Sequence, residues 1–220
     1  MAPGADLALD WGGGRLWLCP ERAAFAPDHA ALLVADFHLG KAHSFRRLGV
    51  PVPGGTSAVN LQRLDGLIAR LQPARLIFLG DFLHSAQART GPGLAAVAQW
   101  RERHTALAVT LVRGNHDDRA GDPPAALGIE VVDEPLPLGP WALCHHPVAR
   151  PGWPVLAGHL HPGAVMFGRA RDHICLPCFH ATADTLILPA YGEFTGLAAV
   201  ARSAGDRCFV SDGQRIHTLP

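Results

Sequence analysis

Net charge of either sign is absent from this chain. Nineteen Lys and Arg face nineteen Asp and Glu in 220 residues, so the formal charge at neutral pH is zero. A protein held to nucleic acid by a global basic field is thereby excluded; any such contact has to be local. Long apolar runs are missing too, and none reaches the roughly 20 residues that span a bilayer. Asp6, Asp10 and Arg15 interrupt the first twenty residues, so no secretory signal is expected there. The five cysteines, Cys19, Cys144, Cys175, Cys178 and Cys208, are scattered and odd in number. That pattern excludes a regular disulfide framework and points to a reducing, cytoplasmic setting. Repeats and low-complexity linkers are absent.

What is present is a folding composition, 48% hydrophobic and 17% charged, which excludes general disorder. The length implies a single domain over residues 1–220. Twenty-four Gly and nineteen Pro punctuate the chain, as expected of many short elements joined by turns. "GRLWLCP" (Gly14–Pro20) reads as an early strand, and "ALLVADFH" (Ala31–His38) as a strand buried on both faces. A helix is expected over Thr56–Gln72, with Thr56 as N-cap, Leu61, Leu64, Leu67, Ile68 and Leu71 on one face, and Pro73 as the stop. A strand over Arg75–Asp81, a helix over Gly93–Arg103 and a strand over Ala106–Val112 follow. This alternation predicts right-handed βαβ units. After Gly128 the chain reads as mostly β. Together the two halves predict an α/β fold of two packed mixed sheets with helices outside.

Thirteen histidines form the outlying count, and their positions are not random. Five apolar runs each end in metal-ligand chemistry. "LLVADFH" ends in Asp36-x-His38, "LIFLGD" in Asp81 and "VTLVRGNHD" in Asn115, His116 and Asp117. "WALCHH" ends in His145 and His146, and "VLAGHLH" in His159-x-His161. Each motif alone is weak: Gly-Asp and Gly-Asn are common turns, and a strand-borne Asp-x-His is a frequent coincidence. The ordered set is specific. Ligand groups gather outside the carboxyl ends of strands in open α/β sheets. If these ends converge, the crevice holds buried carboxylates that need a cation to remain charged at low cost.

The segments "VADFHLGK", "GVPVPGGT", "FLGDFLH", "VRGNHDDRAGDPP", "LGIEVVDEP", "CHHP", "AGHLHP" and "LPCF" resemble the calcineurin-like metallophosphoesterases. Within that superfamily they resemble the bacterial DNA ligase-associated branch, described as DNA-damage-response endonucleases. The likeness covers most of Val34–Phe179. It implies a four-layer α/β/β/α sandwich. It also implies that Asp36, His38 and His161 hold one metal and that Asn115, His145 and His159 hold a second, with Asp81 bridging. His145 is preferred to His146 because it directly follows the strand. His116 would stand beside the pair as general acid, oriented by Asp117. Two cations about 3.5–4 Å apart suit an anionic ester with a poor leaving group, because they stabilise attacking and leaving oxygens together. Mixed imidazole and carboxylate donors favour Mn, Zn, Fe or Ni over Ca or Mg, and the family habit puts Mn first.

Weaker signals surround this set. Lys41, His43, Arg46, Arg47 and Arg113 are candidates for contact with a phosphate backbone, or for solvated positions. His84 is a candidate support for the metal ligands. Cys175-Leu-Pro-Cys178 has half of a zinc spacing but no second pair, so it reads as an ordinary strand and turn. The expected function is a metal-dependent phosphodiesterase acting on DNA, single-stranded or at ends, in repair alongside a DNA ligase, helicase or exonuclease. The alternatives are a phosphodiesterase or phosphatase for small nucleotides or sugar phosphates, and a non-catalytic scaffold with a metal site. Oligomeric state is not readable from sequence.

Overall fold

The apolar runs become the central strands of two sheets in the computed structural model, which describes residues 4–47, 49–52, 55–167 and 172–219. The first sheet has seven strands in chain order: β1 (Leu7–Trp11), β2 (Gly14–Cys19), β3 (Ala23–Ala26), β4 (Ala31–Ala35), β5 (Arg75–Leu79), β6 (Ala108–Val112) and β7 (Ile129–Val132). β1 to β4 form an antiparallel meander, and β4 to β7 run parallel. The parallel strands are joined through α1 (Lys41–Arg47), α2 (Thr56–Leu71), α3 (Pro92–Arg103) and α4 (Asn115–Ala120). The second sheet has nine strands: β8 (Leu136–Leu138), β9 (Trp141–Leu143), β10 (Val155–Ala157), β11 (Pro162–Phe167), β12 (His173–Ala181), β13 (Thr185–Ile187), β14 (Ala198–Ala199), β15 (Arg207–Ser211) and β16 (Ile216–Thr218). It is mixed: β9, β10 and β13 are parallel neighbours, whereas β12 pairs antiparallel with β11, β13 and β15.

Two cores hold these layers. Leu16, Leu18, Leu33, Ile77 and Leu79 of the first sheet pack against Trp141, Leu143, Leu156, Phe179 and Phe209 of the second. The opposite face of the first sheet, with Leu32, Val34, Leu76, Phe78 and Leu111, receives Leu61, Leu64 and Leu67 of α2 and Val97 and Trp100 of α3. Each such side chain contributes roughly 1.5–3 kcal/mol when removed from water. Every residue of β4 is buried, as its unbroken apolar run required. Two mixed sheets with flanking helices are the α/β architecture that the alternation implied.

Boundaries differ from expectation in instructive places. The N-cap of α2 is Gly55, in the left-handed region at φ 82°, and Thr56 is already the first helical residue. α3 begins at Pro92 rather than Gly93, because proline suits the first helical turn, where its missing N–H costs nothing. β4 stops at Ala35 and β5 at Leu79, while β6 starts at Ala108. The polar ends expected within β4 and β5 therefore lie beyond the strands. No helix among the described residues is long and apolar enough to cross a membrane.

Topology brings the strand ends together. The parallel register of β4, β5 and β6 aligns Ala35, Leu79 and Val112 at one edge. β10 and β13 end at the same edge of the partner sheet, where Leu188 N–H donates to the carbonyl of Ala157. A parallel bridge from Ala35 to Ala190 ties the two sheets there.

Candidate metal centre

Five residues at this edge share an unusual backbone. Asp36, His38, Asp81, His159 and His161 all have positive φ, between 48° and 73°. L-residues avoid this left-handed region at a cost of order 1–3 kcal/mol each, and such strain concentrates at functional sites. Asp36 and His38 are therefore not neighbours on one face of a strand, as expected. They sit on a coil just past β4, held by a 2.8 Å hydrogen bond from His38 N–H to the carbonyl of Asp81. Glycines clear the space. A Cβ at Gly80 would overlap the imidazole of His145, and one at Gly114 would overlap Asp81.

The side chains converge. Asp36 and Asp81 are 0% and 2% exposed. Both carboxylate oxygens of Asp36 accept from His159 N–H, at 3.2 and 2.9 Å. His145 donates from Nδ1 to the carbonyl of Leu79 at 3.1 Å. Its Nε2 then has at most one proton to offer, yet three acceptor-capable atoms surround it. Asn115 Oδ1 lies at 2.9 Å, His159 Nδ1 at 3.1 Å and Asp81 Oδ1 at 3.4 Å. The same crowding recurs across the site. His161 donates from Nδ1 to the carbonyl of Gly196 at 3.2 Å, and its Nε2 stands 3.1 Å from Nε2 of His38 and 3.6 Å from Asp36 Oδ1. Donors bound to a common cation at about 2.1 Å lie about 3.0–3.4 Å apart when their angles are octahedral or tetrahedral. The residues present thus fit a pair of divalent cations better than they fit one another. Desolvation also holds His38 well below the usual histidine range and lowers His159, which favours the neutral form a metal ligand needs.

His116 stands beside this cluster. Its Nδ1 donates to the carbonyl of His84 at 2.9 Å, and its Nε2 faces Asp81 Oδ2 at 3.9 Å. The ring stacks on His84 at 5.1 Å between centroids. Burial, then the charges of His116 and Lys41, lowers His84 to about 4. Asp117 does not touch the imidazole, contrary to expectation. It is buried and accepts from the backbone N–H of Leu83, Gly114 and Phe82 at 2.8, 3.1 and 3.3 Å. It therefore fixes the loops on which Asp81, Asn115 and His116 ride. Desolvation outweighs those three donors and raises its carboxyl to about 6.

Of the basic candidates whose side chains are described, Lys41 is placed near the centre. It is partly buried, and the charges of Asp36 and Asp81 partly offset the lowering of its pKa by burial. Arg113 is turned away and forms ion pairs with Asp122, Asp133 and, at 3.8 Å, Asp118. Arg46 donates from Nε to the carbonyl of Val52 at 3.0 Å. The side chain of Arg47 lies outside the described residues.

Sequence reasoning missed Glu134. Its Oε2 accepts from both His145 N–H at 2.7 Å and His146 N–H at 3.0 Å, and its Oε1 meets His146 Nδ1 at 3.1 Å. Burial pushes its pKa up, but these donors outweigh it and hold the carboxyl below its usual range. The one available signal was an acidic residue within "LGIEVVDEP". In the histidine doublet, His145 is fully buried, whereas His146 packs against His159 at 4.7 Å between rings.

No protein-family model and no curated protein matches the chain. Among solved structures it is similar to the nuclease MPE of Pseudomonas putida, with 44% identity over 97% of this chain and 100% of that one and a TM-score of 0.86. It is also similar, at 14% identity over 86% of this chain and 97% of the other, to the Escherichia coli phosphoesterase YfcE, with a TM-score of 0.43. The likeness to the nuclease spans the whole fold, and the strand-end motifs lie within it. The chain belongs to the calcineurin-like metallophosphoesterases, hydrolases of phosphoester bonds, as a relative of the nuclease MPE.

Proposed function

We propose that this protein is a metal-dependent phosphodiesterase that cuts DNA strands. The observation that supports the reading is the set of acceptor-capable atoms around His145 Nε2, which a divalent cation would satisfy together. Asp36, His38 and His161 would hold one cation, Asn115, His145 and His159 the other, and the two oxygens of Asp81 would serve both. When bound, two divalent cations supply the activated water and the positive charge that stabilises attacking and leaving oxygens. Mn²⁺ is the first candidate, with Zn, Fe and Ni as alternatives.

The chain's own groups do the rest. His116, fixed by the carbonyl of His84, directs Nε2 toward the centre to protonate the leaving oxygen or to bind a phosphoryl oxygen. Lys41 adds a cation at the start of α1 for the strand's phosphates. Asp117 and Glu134 act through backbone. The substrate arises in repair, near a DNA ligase, helicase or exonuclease. A second reading, a small phosphodiester as substrate, draws support from the engagement of Arg113 by surface carboxylates. The test is metal analysis of the purified protein, then a substrate panel with added Mn²⁺. Single-stranded and duplex oligonucleotides, cyclic nucleotides and bis(p-nitrophenyl) phosphate separate the two readings. Cleavage of the small esters with none of any DNA form would favour the second.

A further inference from the structure

We propose that Phe194 is a nucleobase-stacking residue that confines the centre to unpaired strands; this rests on the nuclease reading above. The segment from Ala190 to Gly196 runs along the edge of the metal centre and is fastened at nearly every step. Tyr191 N–H donates to the carbonyl of Ala35 at 2.9 Å, and its hydroxyl donates to the carbonyl of Asn60 at 3.2 Å. Gly192 N–H donates to the carbonyl of Asp36 at 3.1 Å. Glu193 pairs with Arg22 at 3.1 Å and with Arg63 at 2.6 Å. Thr195 Oγ1 donates to the carbonyl of Gly192 at 2.9 Å, and the carbonyl of Gly196 accepts from His161 Nδ1 at 3.2 Å.

Phe194 breaks this pattern. Its side chain belongs to neither large core, and the residue is 44% exposed. Its φ is 60°, a left-handed value that is an outlier for a bulky residue. Glycine would hold the turn without strain, so backbone geometry does not account for the ring. Burial does not account for it either. Location does. Phe194 lies two peptide units from Gly192 and from Gly196, so its Cα is within about 7 Å of both of theirs. Those two residues touch Asp36 and His161 directly. Leu160, between His159 and His161, is also exposed, at 46%. Two exposed apolar residues thus lie within two positions of residues that bear on the centre.

A phosphodiester there carries a base on each side. In a duplex the faces of those bases are covered by their neighbours. An unpaired base offers a free π-face, and stacking on an aromatic side chain is tolerant of sequence. The ligand class is therefore an unpaired nucleobase adjoining the scissile phosphate, in a single strand or a frayed end.

The experiment compares wild type with Phe194→Gly, Phe194→Ala and Phe194→Trp. The substrates are a single-stranded oligonucleotide, the same strand abasic beside the cleavage site, a blunt duplex and bis(p-nitrophenyl) phosphate. Single strand cleaved in preference to duplex is expected of wild type. F194A and F194G are expected to raise KM on the single strand roughly tenfold, the size of one lost stack. F194W is expected to restore it. On the abasic strand, which offers no base to stack, the variants and wild type should be alike. F194G is expected to melt no lower than wild type, because glycine relieves the left-handed strain. Wild-type KM in F194A and F194G on a DNA strand that wild type cleaves overturns the stacking role and leaves the nuclease reading intact. So does an equal loss on the intact and the abasic strand, which marks Phe194 as structural. A wild type that hydrolyses the small ester but no DNA overturns both.

Discussion

The imidazole of His116 donates from Nδ1 to the backbone carbonyl of His84 at 2.9 Å, which leaves Nε2 as the nitrogen facing Asp81. A ring fixed in this way can deliver a proton or hydrogen bond without reorganising. On the proposed assignment it holds no metal. His116→Ala is therefore expected to keep the wild-type metal content while kcat on bis(p-nitrophenyl) phosphate falls by roughly 10²–10⁴. Metal analysis and steady-state kinetics on one preparation check this. Unchanged turnover would remove His116 from the mechanism.

The sequence discloses the elements whose burial is two-sided. β4, β5 and β6 read as apolar runs because both faces are covered, and their polar ends announce the site. It does not disclose β1 and β3. β1 is short with mixed burial, and β3 is three alanines around one phenylalanine, too few bulky residues for a periodic signal. The left-handed backbones of Asp36, His38, Asp81, His159 and His161 are equally silent, since they are imposed by packing between loops and not by local preference. Glu134 and Phe194 act across chain separations that no local motif encodes. Arg113 looked like a phosphate contact because it adjoins Gly114-Asn115, but its partners Asp122 and Asp133 become visible only once the loop is folded.

Two nearly unexposed carboxylates, Asp36 and Asp81, lie among imidazoles, so the folded state gains what a divalent cation contributes. At a hundredfold excess over Kd, binding to the native state alone stabilises by about 2.7 kcal/mol. For a chain of this size that corresponds to a rise in Tm of roughly 5–10 °C. Calorimetry of chelator-treated protein with and without Mn²⁺ is expected to show it. Asp81→Ala should abolish most of the rise.

Asp117 sets a pH dependence of the metal-free protein. Burial raises its carboxyl to about 6, above the ordinary 3.8. Between those values the folded state binds more protons than the unfolded state, so stability falls as pH rises. His38, His84 and His159, held below the ordinary histidine value, act with the opposite sign in this window, so the Asp117 component is read as the difference between urea melts of chelated wild type and Asp117→Asn from pH 4 to pH 7, which is expected to shrink as pH rises. Asp117→Asn should remove that component while lowering stability throughout, because an amide cannot accept all three backbone N–H groups. A difference between the two proteins that grows with pH across the same window would mean that the backbone donors, and not burial, dominate.

Gly80 has φ 77° and packs against His145 so closely that an added methyl group overlaps the ring. Gly80→Ala therefore suffers backbone strain and displacement of a candidate ligand together. It is expected to lose metal at the half of the site built by Asn115, His145 and His159, and to lower Tm by several degrees. A structure of the variant with His145 undisturbed and full metal content would count against this role for the ring.

Glu134 separates two functions by its two oxygens. Oε2 takes the N–H groups of His145 and His146, which fixes the turn that aims His145 inward; Oε1 meets the ring of His146. Glu134→Ala removes both. It leaves two N–H donors without their partner and lets the turn relax, so affinity for one of two metals is expected to fall 10–100-fold, the usual effect of losing a group that orients a ligand. Glu134→Gln keeps one carbonyl oxygen for the two N–H groups and places an amide near His146. It is expected to restore metal stoichiometry while changing only what depends on the His146 ring. Titration calorimetry of the apo proteins distinguishes these cases without reference to turnover. Equal metal affinity in wild type and Glu134→Ala would show that the His145 turn holds its shape through β9 and β10 alone.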